Sequence, residues 1–441
     1  MSQRKIQVLK QFTGLKNIVP PDRFVLGDLQ EAVNVDIDNT GKVLRRGGYA
    51  PIPGNTDSSH SLFMQTGMAL YRSGTELRRL YPQGNCDVVR NDMTVGLRTW
   101  YVMVNGKIYY SDGASTGVID GGVNRSWGLA VPTTLGSLTT TTGNLKKGRY
   151  TICQTYVRSD GQESAPSEHF QINTGDDAGI NISYVKSADP DVFSINIYMT
   201  AKNGVVFFLV TQLGNADGIF TYQGDTTEFY QDMSDIIQDS GPPIPCNLIE
   251  HWKGRIYAAR FGLLFYSQPF SYELFNYSSD YLPFPKDITL LAATVNGLFV
   301  GTTENIYYLQ ETGDVLSLTL LTDYGAVYGT QVKADISFIG DGSMSGVGVV
   351  FLSSKGVCVG YDGGQLKNLT HDTYSFGSAI EGTGAIVQRH GMYNYVFTTH
   401  DTTAKDLNRY DRPAYLVSNT SELNMSFIES NNQIPSFKGV N

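Results

Sequence analysis

The sequence is poor in charged residues, which make up only 17% of its 441 positions. Acidic residues outnumber basic ones, 42 to 33, and the formal net charge is -9. Domains that bind nucleic acid electrostatically carry a basic patch, so this balance argues against such a binder. It is compatible with a surface past which DNA must slide, because negative side chains repel phosphates.

Long apolar runs are also missing. No stretch of roughly 18 apolar residues occurs, so the sequence predicts no membrane span. The opening residues, MSQRKIQVLKQ, lack the apolar segment of a signal peptide. We therefore expect a soluble protein that is made in a reducing cytoplasm.

Cysteine and histidine are scarce, with four and six residues. The cysteines are Cys86, Cys153, Cys246 and Cys358. They are far apart and show no CxxC spacing, which argues against a zinc site and against a disulfide framework. We expect them to be small buried residues. No two histidines have HxH or HxxxH spacing, so no metal site is predicted, and His251 is expected to be a packing residue.

Helical periodicity is weak throughout the chain, and the best candidate is the short segment EFYQDMSDIIQDS. Glycine, tyrosine and phenylalanine are abundant instead, with 47, 27 and 21 residues. Gly-rich turns between aromatic and β-branched segments are typical of an all-β protein.

A short unit recurs along the chain: an apolar strand, a tight turn and a second apolar strand. It is clearest between His251 and Leu309, where GRIYAAR is followed by GLLFYSQ and NGLFVGT by ENIYYLQ. It appears again as NGKIYYSD and as GVVFLSSKGVCVGY. A spacing of roughly 40 to 60 residues is typical of propeller blades. The sequence therefore predicts an all-β fold containing a β-propeller of about six or seven blades.

The repeat is interrupted by a segment of different amino-acid composition and strand pattern. Seven or so short strands begin after a Ser/Thr/Gly-rich stretch, and the run Pro242-Pro243-Ile244-Pro245 ends the segment as a stiff linker. We predict an inserted β-sandwich of the fibronectin or immunoglobulin type at 132–245. Residues 1–131 and 246–441 would then form the two parts of the propeller. We expect a strand of the polar tail to pair with the N-terminal region and close the ring.

One motif near the N terminus has two interpretations. Val33, Val35 and Ile37 alternate with polar residues and predict a hairpin that turns at 38–41. Asp36, Asp38 and Thr40 also resemble the first half of a calcium loop, but a glycine stands where the closing carboxylate is required. A turn capped by aspartate side chains is favoured.

The remaining motifs give no catalytic constellation. Arg45-Arg46 is expected to be a solvated strand end, and Tyr272, Phe275 and Tyr277 are expected to pack in the core rather than bind sugars. P-loop and GxGxxG patterns are absent from the sequence, and no serine-hydrolase elbow is predicted. We predict that the protein is not an enzyme and has no catalytic, cofactor-binding or metal-binding residues.

Two phrases in the chain resemble the nozzle proteins (tail tubular protein B-like) of short-tailed bacteriophages. In the N-terminal phrase, the matching residues are Ala32, Asn34, Val35, Asp36, Arg45, Arg46 and Gly48. In the phrase that follows the linker, they are Gly254, Arg255, Ile256, Tyr257, Tyr266, Ser267, Pro269, Leu274 and Phe275. The resemblance extends from Gly14 to about Leu309, and this chain is shorter than the best-known nozzles.

The resemblance implies that the protein is a structural component of a virion. Nozzle proteins are homohexamers that attach below the portal-adaptor complex, extend the DNA channel, retain the genome and then release it. The expected partners are further copies of this chain, the adaptor or head-to-tail connector, and tail fibre or spike proteins. DNA would pass without sequence-specific binding. The expected location is the phage tail, after synthesis in the host bacterial cytoplasm.

Two other functions are compatible with the same fold. A propeller-type carbohydrate-binding or glycan-degrading tail protein would place carboxylates and aromatics together in a pocket at the propeller axis. A secreted adhesin is disfavoured by the missing signal peptide.

Overall fold

The structure is a computed structural model that describes residues 11–47, 59–65, 68–313, 315–339, 346–389 and 392–400. It also describes the backbone of three short strands beyond residue 416. The chain is all-β, as the sequence predicts. The helical elements are the 3-10 turns Pro21–Arg23, Thr226–Glu228 and Ile336–Ile339 and one helix, α1 (Asp235–Asp239). The last of these lies within the segment that has the best helical pattern.

The N-terminal region contains β1 (Gly14–Leu15), β2 (Asp28–Val33), β3 (Val35–Ile37) and β4 (Val43–Arg45). β3 and β4 form the predicted antiparallel hairpin. In its turn, Asp38 Oδ1 accepts hydrogen bonds from the backbone N–H of Thr40 and of Lys42, at 2.9 and 3.0 Å. Asp38 is therefore a turn cap, which confirms the plainer of the two interpretations.

Two four-stranded antiparallel sheets follow, each formed by consecutive strands. Sheet I contains β5 (Ser59–Gln65), β6 (Met68–Ser73), β7 (Glu76–Leu80) and β8 (Cys86–Arg90). Sheet II contains β9 (Trp100–Val104), β10 (Lys107–Ser111), β11 (Thr116–Asp120) and β12 (Val123–Arg125). β9 and β10 are joined by Asn105 and Gly106, whose φ values are 50° and 80°. Two consecutive residues with positive φ form the tight hairpin turn for which Asn-Gly is suited.

The middle of the chain forms two sheets that share one core. Its strands are β13 (Leu138–Leu145), β14 (Gly148–Arg158), β15 (Phe170–Thr174), β16 (Ala178–Tyr184), β17 (Val192–Thr200), β18 (Phe207–Gly214) and β19 (Gly218–Tyr222). One sheet has the order β13-β16-β19 and the other β15-β14-β17-β18. Side chains of both sheets, among them Ile152, Ile180 and Ile195, belong to one apolar cluster. We call residues 138–222 the insert; the predicted limits 132 and 245 stay a prediction.

Four further sheets complete the chain. Sheet III contains β20 (Leu248–Trp252), β21 (Arg255–Arg260), β22 (Leu263–Gln268), β23 (Ser271–Phe275) and β24 (Tyr281–Pro283). Sheet IV contains β25 (Ile288–Ala293), β26 (Leu298–Thr302), β27 (Ile306–Thr312) and β28 (Val315–Thr322). Sheet V contains β29 (Val332–Asp335), β30 (Val347–Ser353), β31 (Gly356–Tyr361) and β32 (Gln365–Asn368). Sheet VI contains β33 (Glu381–Arg389), β34 (Met392–His400), β35 (Val417–Asn419) and β36 (Ser426–Phe427), together with β1, β2 and β37 (Ser436–Gly439).

The six sheets stack in chain order, because each neighbouring pair shares an apolar cluster. Leu70 of sheet I packs with Ile108 of sheet II, and Tyr109 of sheet II packs with Phe275 of sheet III. Corresponding clusters join sheets III and IV, IV and V, and V and VI. No apolar cluster of the described residues joins sheet I to sheet VI.

Within this series, the first strands lie inside and the last strands lie outside. β20 contacts β9 on one side and β25 on the other, and β29 contacts β33. β25 is buried at every residue, whereas β28 is exposed or half-buried throughout. The fold therefore places the first strands of successive sheets against each other.

The tail reaches the N-terminal region, as expected. β2 pairs in parallel with β36 and antiparallel with β37. Strands from both ends of the chain therefore complete sheet VI. Among the described residues, no helix is long and apolar enough to span a membrane.

Candidate functional site: the central junction

The first strands of the six sheets converge on a polar junction. Its members are Ser61, Arg98, Trp100, Asn247, Tyr328 and Gly382, and we call them the central junction. They lie in, or up to four residues before, the first strands of sheets I, II, III, V and VI. Ser61 joins the group because its Oγ accepts from the N–H of Thr99 at 3.0 Å. Sheet IV is tied to the same region because Thr289 Oγ1 donates to the carbonyl of Ala326 at 2.7 Å.

An aromatic pair forms the middle of the central junction. The Trp100 and Tyr328 rings meet edge to face, with centroids 5.7 Å apart. Trp100 Nε1 donates to Tyr328 Oη at 2.6 Å, and that hydroxyl donates to the carbonyl of Asn247 at 3.0 Å. Trp100 belongs to sheet II and Tyr328 directly precedes sheet V, although sheets III and IV lie between them in the stack. The series of sheets must therefore curve back on itself.

Arg98 joins three segments of the central junction. One guanidinium nitrogen donates to the Gly382 carbonyl, and the other donates to the Gly329 carbonyl at 3.0 Å and to Thr383 Oγ1 at 3.1 Å. The guanidinium also lies over the Trp100 ring, 5.0 Å from its centroid. A cation packed on an aromatic face and donating to carbonyls keeps its charge satisfied in a partly desolvated place.

Gly329 is required for this arrangement. Its φ is +86°, and a Cβ built on it would overlap the Arg98 guanidinium. A side chain there would be strained by the backbone and would displace the arginine. The absence of a side chain at Gly329 is therefore what lets the Arg98 guanidinium lie there.

An ion pair flanks the central junction. Lys333 Nζ lies 2.8 Å from Glu250 Oε1, which also accepts from the backbone N–H of His251 at 2.9 Å. The His251 ring packs against Tyr272, with centroids 5.7 Å apart, which confirms its predicted packing role. Burial lowers the pKa of His251; the Glu250 charge opposes this shift, and the Lys333 charge adds to it.

A second charged group links sheets I and II. Arg72 and Asp112 are fully buried, and their charged atoms lie 3.1 Å apart. Arg72 also donates to Thr99 Oγ1 at 3.0 Å and to the Thr94 carbonyl at 2.8 Å, while Asp112 Oδ1 accepts from two backbone amides. Burial, with the nearby charges of Arg72 and Arg98, lowers the pKa of His60 to about 4.

The sequence-predicted residues are distributed over the fold and do not form one site. Tyr272 and Phe275 are buried between sheets II and III, and Tyr277 packs against them, as expected. Cys153, Cys246 and Cys358 are buried free thiols, and burial raises the pKa of Cys358 to about 11.

Two expectations were wrong in part. Cys86 is only half-buried, because it lies on the outer strand of sheet I, where its Sγ accepts from Tyr71 Oη at 3.1 Å. Arg46 is only 8% exposed rather than a solvated strand end, while Arg45 is exposed. The reason is that the Arg46 N–H donates to the Asn34 carbonyl at 3.0 Å, which extends the hairpin and turns residue 46 inward.

One cavity of about 640 Å³ lies where the insert meets the preceding linker. It is lined by Val131, Pro132, Thr133, the loop 165–169 and Gln238. Glu168 and His169 are its titratable side chains, and the His169 ring packs against Phe207. In the part of the chain that the structure describes, no group of three or more His, Cys, Asp or Glu side chains is placed to hold a metal ion.

Sequence reasoning did not identify the central junction. Arg98 and Trp100 stand in an ordinary strand start, and Tyr328 stands in a loop more than 200 positions later. Only the curvature of the stacked sheets brings them together, so no local signal marked them.

No protein-family model matches the chain, and no curated protein matches it. Among solved structures, it is similar to the N-terminal domain of Nup159, with 8% identity, a TM-score of 0.30, and coverage of 77% of this chain and 72% of that one. It is also similar to BBS1N from a complex with ARL6DN, with 12% identity, a TM-score of 0.29, and coverage of 86% of this chain and 94% of that one. Saccharomyces cerevisiae Sqt1 is 9% identical, with a TM-score of 0.19 and coverage of 65% of this chain and 90% of that one. TM-scores this low carry no argument about family or function.

Proposed function

We propose that this chain is a structural protein of a phage tail, a nozzle or tail-tube component that assembles as a homohexameric ring. Each copy is a six-bladed propeller in which sheets I to VI are the blades and the insert is a β-sandwich. The ring attaches below the portal-adaptor complex, extends the DNA channel, and helps to retain and then release the genome.

The stacking of the sheets supports the propeller. The first strand of a sheet lies inside and the last strand lies outside, and consecutive sheets share an apolar cluster. These are the features of sheets repeated around an axis. Contact between sheets II and V across the central junction requires a curved series. Pairing of β2 with β36 and β37 would complete the last blade with strands from both chain ends, which removes exposed edges.

The single observation that carries the tail assignment is the nozzle-like phrase in sheet III. Its residues act together in shaping that sheet. Arg255 donates to the carbonyl of Ser267 at 2.7 Å and lies over the Tyr266 ring, and Ser267 Oγ accepts from the Ile256 N–H at 3.0 Å. Gly254 turns the hairpin with a φ of +71°. These positions form one structural unit, which favours a shared fold over chance similarity.

The central junction supports a channel between copies. Because Arg98, Trp100 and Tyr328 pack against each other between sheets II and V, we place the duplex outside the single propeller, around the axis of a ring. The net charge of -9 suits a lumen that repels phosphates.

Imaging of the purified chain and of virions tests the proposal. We expect six-fold rings on the tail axis, with a central opening that admits duplex DNA. A basic lumen in the assembled ring would contradict the sliding argument. A chain that stays monomeric and binds or cleaves host glycans would instead favour the carbohydrate-directed tail protein.

A further inference from the structure

The outer edge of sheet IV differs from the outer edges of the neighbouring sheets. β28 has eight residues, Val315-Leu-Ser-Leu-Thr-Leu-Leu-Thr322, with no charge and no proline. The other outer strands are shorter or interrupted: β8 contains Asp87 and Arg90, β12 contains Arg125, β24 contains Pro283 and β32 contains Lys367. Charges and prolines protect edge strands from pairing with other chains, and β28 has neither.

The side chains of β28 are apolar and accessible. Val315, Leu318 and Leu320 are 67%, 41% and 58% exposed. β28 pairs with β27 on one side and ends sheet IV on the other. Backbone groups on the outer side of such a strand are available for a further strand.

The sequence of β28 is complementary to itself. In an antiparallel pairing centred on Leu318, that residue faces its own copy and Leu316 faces Leu320. Ser317 then faces Thr319, so an apolar row meets an apolar row and a hydroxyl row meets a hydroxyl row. A two-fold contact needs this kind of self-complementary patch.

The same register brings Val315 of a second copy to the β-bulge at Leu321, where β28 has one residue more than β27. Leu321 lines a cavity of about 510 Å³, together with Leu320, Thr322, Asp323, Tyr324 and Leu366. The exposed valine of one copy would therefore lie beside an opening in the other. Two molecules that each carry a net charge of -9 repel each other over most of their surfaces, so an uncharged strip is where they can approach.

We propose that β28 is a self-association edge, which pairs antiparallel with β28 of a second copy of this chain and joins two copies of sheet IV into one continuous sheet. This contact goes beyond the proposed ring. A closed ring uses head-to-tail contacts between different surfaces, whereas this contact is two-fold.

The first test compares Leu318→Lys with Val88→Lys in the full-length protein. Val88 lies on β8 and is 49% exposed, so it receives the same charge on a different outer strand. Sedimentation over a range of concentrations should show wild-type chains, or wild-type rings, associating in pairs, with at least tenfold weaker pairing for Leu318→Lys and unchanged pairing for Val88→Lys. Equal circular dichroism and thermal unfolding of the three proteins verify folding. Unpaired wild-type chains, or equal weakening by both variants, would overturn the proposal.

The second test fixes the register. A cysteine in place of Leu318 would face its own copy at a separation that a disulfide can bridge, whereas a cysteine in place of Leu320 would be several residues from its copy. Under mild oxidation, Leu318→Cys should give a covalent dimer and Leu320→Cys should not. Equal cross-linking of both variants would contradict the register. Rings that persist in Leu318→Lys while pairs disappear would show that the ring and the two-fold contact are separate.

Discussion

The insert and the six stacked sheets hold their cores together in different ways. The insert closes one core between two sheets whose strands all lie within 138–222. Each core between stacked sheets needs two separate sheets, and the central junction needs residues as far apart as Arg98 and Gly382. The insert can therefore form from contacts within one segment of the chain, whereas the stacked sheets depend on contacts between residues far apart in the sequence.

Polar contacts hold the two linkers that attach these regions to each other. Tyr277 Oη donates to the carbonyl of Pro242 and accepts from the N–H of Ile244, both at 2.8 Å, which fixes the returning linker. On the other side of the attachment, Arg125 of sheet II lies 2.9 Å from Asp191 of the insert. This difference predicts that the two regions respond separately to mutation. All three tryptophans, Trp100, Trp127 and Trp252, lie outside the insert, so their fluorescence reports only the stacked sheets.

The largest effect is expected from Arg72→Met, which leaves Asp112 buried without its cation. Breaking a buried ion pair by removing one partner costs about 3–5 kcal/mol. The urea midpoint from tryptophan fluorescence should fall, while hydrogen exchange in the insert should stay unchanged. In the double variant Arg72→Met/Asp112→Asn, which removes the buried charge and keeps the Oδ1 acceptor for the two backbone amides, part of the loss should be recovered. A loss of protection in the insert would contradict the separation of the two regions.

Ile195→Ala tests the insert from its own core. Ile195 is fully buried, and truncating such a side chain costs about 2–5 kcal/mol. Hydrogen exchange in the insert should accelerate without any change in the tryptophan midpoint. As a matched control, Ile219→Ala changes a residue that is 69% exposed and should have little effect. If the tryptophan midpoint fell with the insert, the two regions would form one cooperative unit.

Trp100→Phe tests the central junction directly. The change removes the Nε1 donor of the half-buried Tyr328 Oη, and losing one such hydrogen bond costs about 0.5–1.5 kcal/mol. We expect a lower urea midpoint, measured by circular dichroism because a tryptophan is lost. Thr383→Val, which removes only one of the acceptors of Arg98, should have a smaller effect. Equal effects of both variants would show that the aromatic pair is not the centre of the junction.

His60 gives the stacked sheets a pH dependence. Its pKa is about 4 in the folded chain and 6.5 in the ordinary state. As pH falls below 6.5, the unfolded chain binds a proton before the folded chain does, so stability decreases down to about pH 4 and is constant below it. The difference in urea midpoint between wild type and His60→Asn should therefore change between pH 7 and pH 4.5. A constant difference would contradict the assignment.

The smallest effect is expected from Arg125→Gln. Arg125 and Asp191 are both partly exposed, and such pairs contribute about 0.2–1 kcal/mol. Hydrogen exchange in the linkers on either side of the insert should rise slightly, and both unfolding midpoints should stay within error. Raising the salt concentration in wild type should reproduce the change, because salt screens exposed charges. A salt-independent effect would show that Arg125 acts by packing.

Local patterns were enough to predict much of the fold. The hairpin at 35–45 follows from alternation and a turn sequence, and Asn105-Gly106 specifies a tight turn by its backbone preference. Tyr150 and Ile152 of β14 lie in the core of the insert. On the opposite face Cys153 is buried, as expected of the cysteines, and Thr155 is buried beside it, because later segments of the chain cover that face.

The sequence by itself determined that the chain is all-β, where its hairpins turn and where the repeat is interrupted, because these depend on the preferences of neighbouring residues. Only the tertiary structure decided that Arg98, Trp100 and Tyr328 meet in the central junction, that Arg46 is buried, and that β28 is an uncharged outer edge strand. These outcomes depend on how sheets separated by up to about 280 positions curve and pack together, and no local pattern encodes that arrangement.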